Sequence, residues 1–190
     1  MAVLALLVIG AGSFVGIRWF AGRDDPTLPT TTRALAAAAH RHMPAEAKLV
    51  RVREGLGNTA DRFVVMLDYE IGGRPVSFSL EPNKQLPWMG DFDCPSEADA
   101  PDICEIRTLD DGTKAAVAHL TTSGKQGTGV STKRADGEVV SVWVWPSPTV
   151  SDLPVSFDIL AGMATDPLVG LKTNKKMLEL GKDLDVTPMT

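Results

Sequence analysis

The sequence predicts an α+β protein. An N-terminal transmembrane helix precedes an antiparallel sheet of about six to seven hairpin-linked strands, with one helix before the sheet and two short helices after it. Three observations carry this. Residues 1–17 hold no charged side chain. Between residues 48 and 145, apolar and polar residues alternate with the period of two that a half-buried strand requires, and Gly-containing turns interrupt them. Helical spacing is confined to residues 33–42 and to the stretch after residue 153. Strands and helices therefore do not alternate, which argues against a doubly wound nucleotide-binding fold.

Residues 1–23 read as a transmembrane anchor or uncleaved signal. As a helix, the run from Met1 to Ile17 spans about 25 Å, short of a ~30 Å hydrocarbon core. Counting on to Phe20, with Arg18 snorkelling, reaches about 30 Å and sets Trp19 and Phe20 at the interface. Arg18 and Arg23 flank the C-terminal side, which taken alone places the following domain in the cytoplasm. Asp24 and Asp25 dilute that flank, and the cysteine pair described below suits an oxidising compartment. The expectation is an extracytoplasmic domain. A cleaved signal peptide needs a basic n-region and an Ala-x-Ala-like site, and Ala11-Gly12-Ser13 is a poor one.

Residues 24–32 form a linker stiffened by Pro26 and Pro29. The single soluble domain is assigned to 33–184. The alanine-rich stretch from Arg33 to His42 is a strong helix former stopped at Pro44, with Thr30 to Thr32 available as caps. Strands are expected at 48–53, 62–71, 74–80, 103–109, 114–121, 128–134 and 138–145. Gly72-Gly73, Asp110-Asp111-Gly112 and Ala135-Asp136-Gly137 supply turns. Residues 81–102 read as irregular. In the last strand Val140, Val142 and Val144 face one way while Val139, Trp143 and Trp145 face the other, so it is central or covered on both sides. Helices follow at 153–164 and 174–184, the second with Met177, Leu178 and Leu180 inward. Residues 185–190 are expected to fray.

Of the 190 residues, 44% are hydrophobic and 23% charged, enough for a core and too apolar for wholesale disorder. The net charge is −5, and Lys and Arg occur singly or in pairs. No basic face for phosphates is expected, and hence no nucleic-acid partner. The two cysteines, Cys94 and Cys104, sit in a polar, Pro-containing loop with no histidine nearby, so a disulfide is favoured over a metal site. Closing so short a loop contributes roughly 2.5–3 kcal/mol by the chain-entropy argument.

Motifs for chemistry fail on their context. Gly55-Leu56-Gly57-Asn58-Thr59-Ala60 matches a dinucleotide fingerprint, but a strand follows where a helix must. Gly124-Lys125 lacks the rest of a P-loop. His40 and His42 lie about 200° apart on a helix, poor geometry for one ion, and are expected to face solvent. His119 has no ligand-type neighbour at metal spacing, and no Gly-x-Ser-x-Gly elbow exists. No cofactor, metal or catalytic residue is expected. Four tryptophans stand against one tyrosine. Trp88, Trp143 and Trp145 are the candidate aromatic contacts for a partner, with core packing as the alternative.

The apolar leader, the Cys94–Cys104 loop, Leu109-Asp110-Asp111-Gly112, Lys133-Arg134-Ala135-Asp136-Gly137 and Leu160-Ala161-Gly162-Met163-Ala164-Thr165-Asp166-Pro167 together carry a resemblance. The layout resembles uncharacterised membrane-anchored extracytoplasmic proteins of actinobacteria. The resemblance implies an outside domain and supplies no activity and no site residues. The functional expectation is a non-catalytic binding or sensing domain of the cell envelope. It is held in the membrane through residues 1–20 and meets a protein or cell-wall partner. The rival expectations are an envelope enzyme with an unfamiliar site and a structural component of a membrane complex.

Overall fold

A computed structural model describes residues 25–84, 94, 103–122, 124–146 and 153–189. The leader and Trp88 lie outside the described residues. No described helix is long and apolar enough to cross a membrane.

The chain runs β1 (Leu28–Pro29), α1 (Thr32–His40), β2 (Lys48–Glu54), β3 (Val65–Ile71), β4 (Arg74–Asn83), β5 (Ile103–Thr108), β6 (Lys114–Thr122), β7 (Lys125–Lys133) and β8 (Val139–Trp145). Then come α2 (Phe157–Thr165), β9 (Lys172–Thr173), α3 (Lys175–Gly181) and β10 (Val186–Pro188). Two antiparallel meanders, β2-β3-β4 and β5-β6-β7-β8, join through antiparallel β4–β8 pairing. The resulting eight-stranded sheet has the order β10-β2-β3-β4-β8-β7-β6-β5.

Period-two alternation sends Val65, Leu67 and Tyr69 of β3, Val76, Phe78 and Leu80 of β4, and Val140, Val142 and Val144 of β8 to one face, all buried. The three helices cover this inner face. α1 begins at Thr31, whose Oγ1 accepts the Ala34 amide at 3.1 Å, satisfying one free N–H of the first turn. Its residues 34–39 are all buried, and five of the six are alanines that let the helix backbone approach the sheet closely. α2 lies over β7 and β8 with Leu160, Met163 and Ala164 buried, and the Thr132 hydroxyl on β7 donates to the Ala164 carbonyl at 2.7 Å. α3 packs against α1. A Cβ on Gly181 would collide with the Arg33 carbonyl, so only glycine permits that approach.

Several expectations change. The sheet is mixed, because β10 runs parallel to β2 with Val186 beside Val52. Residues 186–188 therefore do not fray: they cover backbone groups that the β2 edge would leave unpaired. The linker is partly ordered, since Leu28 and Pro29 pair with β9. β3 starts at Val65 rather than Arg62, because the Asn58 side chain grips Val64 through both its N–H and its carbonyl. β7 starts at Lys125, three residues early, and contains Gly127 and Gly129. α2 starts at Phe157 rather than near Leu153, past Pro154, which lacks an N–H and disfavours helix in the residue before it. Leu180, expected inward, is 56% exposed.

Candidate functional site

No described helix lies on the outer face of the sheet, and this face carries the concentration of chemistry. Trp143 and Trp145 project there from β8, two residues apart on the central strand. A Cβ on Gly129 would stand 2.5–2.7 Å from Cδ2, Cε3 and Cε2 of Trp143. These atoms surround a ring fusion, so the approach is through the face of the indole. The same holds for Gly127 beneath Cε3, Cζ3 and Cδ2 of Trp145 at 2.5–2.6 Å. Both indoles thus lie flat over glycines of the neighbouring strand. This explains two glycines inside a strand, where they would otherwise weaken it. The two rings are 6.1 Å apart by centroid and tilted only 21° from one another, forming one broad aromatic surface that is half-buried.

Beside Trp145 the register places Ser77 of β4, then Asp68 of β3, then Arg51 of β2. Asp68 Oδ2 accepts Arg51 Nε at 2.9 Å and Arg53 Nε at 3.0 Å, and Oδ1 accepts Arg53 Nη2 at 2.8 Å and Ser77 Oγ at 2.7 Å. Burial works against the Asp68 charge, but the bonds from Arg53, Ser77 and Arg51 prevail and hold its carboxyl below the usual carboxylate range. Arg51 engages Asp68 through Nε and its side chain is 57% exposed. A recess of about 420 Å³ opens here, lined by Arg51, Arg53, Asp68, Glu70 and Ser77 among others.

Strand alternation also gathers charge. Outward positions of the described strands hold Lys48, Arg51, Arg53, Lys114, Lys125 and Lys133. Against these six cations stand three carboxylates, Asp68, Glu70 and Glu81. Among the described strands the outward positions therefore carry more cations than carboxylates, in a chain of net charge −5. Composition alone does not show this excess. Cations scattered in sequence converge because β2, β6 and β7 each turn theirs to the same side of the sheet.

Cys94 and Cys104 form a disulfide with 5.6 Å between their Cα atoms, which points to an oxidising, extracytoplasmic environment. Cys104 lies opposite Ala118 on the outer face of β6, in line with Gly129 and Trp143. Lower on this face Ser131 and Ser141 are buried and share a hydrogen bond of 2.7 Å.

The histidines do not converge. The expected exposure to solvent holds for His40 and is corrected for His42, which is half-buried, and each makes one contact. His40 Nδ1 meets the Tyr69 hydroxyl at 3.1 Å, and His42 Nε2 meets Asp166 Oδ2 at 2.7 Å. Both anchor α1 within the inner layer. Burial drives the Tyr69 phenol well above its ordinary pKa. His119 Nδ1 pairs with Thr128 Oγ1 at 2.9 Å. Among the described residues no three His, Cys, Asp or Glu side chains group to hold a metal ion. A second recess of about 510 Å³ is lined by Pro44, Ile71, Leu153, Val155 and Phe157 among others, with Glu46 the one ionisable side chain among the described residues that line it.

Of the three tryptophans singled out by sequence, Trp143 and Trp145 come together and Trp88 lies outside the described residues. The Arg51–Arg53–Asp68–Ser77 network was not found by sequence reasoning. Part of it was accessible: a two-residue Gly72-Gly73 turn pairs Ile71 with Arg74 and so sets Asp68 opposite Ser77. The β2 register was not, because the chain bulges between Leu49 and Arg51. The described residues define a disulfide-bonded α+β domain with an aromatic sheet face on which outward strand cations outnumber carboxylates. No family model matches the chain, and no curated protein or solved structure matches it either.

Proposed function

We propose that this chain is a non-catalytic binding domain of the cell envelope. In this reading residues 1–20 hold it in the membrane, the domain lies outside the cytoplasm, and the Trp143–Trp145 surface meets the partner. One observation carries the reading: two indoles lie flat and side by side on the sheet face that no described helix covers. Aromatic rings supply large contact area at little conformational cost, which is why they dominate binding surfaces. The disulfide, the uncharged leader and the resemblance to envelope proteins support the placement.

The test is a photo-crosslinking residue at Lys125, exposed on β7 near Trp145, in the full chain expressed in intact cells. The expected result is a discrete envelope adduct that disappears when Trp145 is replaced by alanine. Absence of any adduct, together with turnover of a small molecule by the purified chain, would overturn the reading in favour of an enzyme.

A further inference from the structure

The geometry points to an anionic polysaccharide as the ligand of this face, an inference that rests on the binding reading above and names its partner. Three features meet in one continuous strip. Trp145 and Trp143 present indole surfaces whose opposite sides are pressed on Gly127 and Gly129. The C–H faces of pyranose rings are flat and apolar, and they stack on such a surface without needing a closed pocket. Ser77 pairs directly with Trp145 in the register and also lines the recess of about 420 Å³. Through Ser77 the aromatic surface runs into a cleft where Arg51, Arg53, Asp68 and Glu70 would offer sugar hydroxyls donors and acceptors.

Charge selects among saccharides. Asp68 takes three hydrogen bonds from two guanidinium groups, leaving one positive charge over, and Arg51 is the more exposed of the pair. Glu70 also lines the recess, and with Lys48 opposite it in the register the five side chains Lys48, Arg51, Arg53, Asp68 and Glu70 keep one positive charge over. Lys125 lies on the other side, exposed on β7 two residues from Gly127. A chain of sugars crossing the strip from Lys125 over the indoles to Arg51 meets cations at both ends. Carboxylate or phosphate substituents on the polymer complement this arrangement, and Arg is suited to both through its planar fork of donors. The acidic remainder of the protein repels the same polymer elsewhere, which directs it to this face.

The experiment titrates the purified full chain, in detergent micelles, with polygalacturonate, phosphomannan, neutral mannan and oligothymidylate at two salt concentrations. Binding of polygalacturonate or phosphomannan at least tenfold tighter than neutral mannan and oligothymidylate, and weakened by salt, is expected. Trp145→Ala should weaken that binding at least tenfold, while Trp145→Tyr, which keeps an aromatic face over Gly127, should retain most of it. Lys125→Glu, an exposed change that leaves the aromatic surface intact, should weaken it several-fold with an unchanged melting temperature. Equal affinity for neutral mannan, or equal affinity for oligothymidylate, overturns the inference. So does binding to none of the four. In that last case a Trp145-dependent crosslink in cells would still uphold the binding domain, with a partner of other chemistry.

Discussion

His42 Nε2 lies 2.7 Å from Asp166 Oδ2 and ties the C-terminal end of α1 to that of α2, across a sequence separation of 124 residues. The carboxylate also accepts the Leu168 amide through Oδ1 at 2.8 Å. Burial opposes the Asp166 charge, yet these bonds and the nearby Arg41 keep its carboxyl below the ordinary carboxylate range. A carboxyl that is more acidic folded than unfolded contributes stability above its unfolded value, ~4, and loses it as pH falls through the folded one. Denaturant melts from pH 7 to pH 3 should show His42→Ala less stable by about 1.5 kcal/mol at neutral pH, the range for one hydrogen bond to a charged group. The difference between the variant and the parent should shrink below about pH 5. A difference that stays constant down to pH 3 would show that Asp166 does not sense His42.

The Trp–Gly pairs make a second expectation. Alanine at Gly129 or Gly127 places a methyl group 2.5 Å from indole carbon atoms, closer than any van der Waals contact allows. The ring must lift or rotate, and forcing an extra carbon into a packed site typically costs about 1–3 kcal/mol. Gly129→Ala and Gly127→Ala should each lower stability by that amount and alter the near-ultraviolet circular dichroism, which reports tryptophan environment. An unchanged spectrum with unchanged stability would mean that the indoles do not rest on these glycines.

The disulfide is open to a direct measurement. Replacing Cys94 and Cys104 together by serine removes the cross-link and should destabilise the domain by roughly 2.5–3 kcal/mol. The parent treated with reductant should match the variant, whereas the variant should ignore reductant. In intact cells, thiol reagents that do not cross membranes should label both cysteines after reduction and neither before. No labelling even after reduction would place the domain on the cytoplasmic side, and labelling without reductant would show that the two thiols are free.

Local signals fixed much of this fold and little of its face. The Gly72-Gly73 turn, with φ of 56° and 75°, sets the β3–β4 register by itself, since both residues adopt the left-handed conformation that glycine tolerates. The helix at Thr32–His40 was readable because alanines and a Thr cap act within a few residues. Central placement of β8 followed from its two apolar faces. The pairing of β4 with β8 was not readable, because it joins residues 56 to 68 apart in sequence and depends on how two meanders meet. The site inherits that gap. Trp143 and Trp145 were visible as a pair on one strand, but their glycine beds come from a separate strand. The excess of outward cations requires the order of six strands, β2-β3-β4-β8-β7-β6, to be known before isolated lysines and arginines can be assigned to one side. Arg134 shows the same limit in another form, since its sequence context reads only as part of a hairpin turn.

Arg134 in fact closes the end of the inner layer. Its Nη2 donates to the carbonyls of Asp166 at 2.6 Å and Val169 at 2.9 Å, and its Nη1 lies 3.2 Å from Glu138 Oε1. Glu138 is buried, and the same Oε1 accepts the Leu171 amide at 2.8 Å. The backbone passes so close that a Cβ on Gly170 would collide with the guanidinium. One cation therefore binds the α2–β9 connection to the β7–β8 hairpin. Arg134→Ala removes it and leaves a buried carboxylate and two carbonyls without that partner, a loss of about 3–5 kcal/mol. Glu138→Gln keeps an acceptor for the Leu171 amide and gives up only the charge, so its effect should be smaller. The double variant Arg134→Ala, Glu138→Gln should be more stable than Arg134→Ala alone, because no uncompensated carboxylate remains. Denaturant melts of the three variants decide it: additive losses would show that the two side chains act independently and that the charge pair is not what holds this corner.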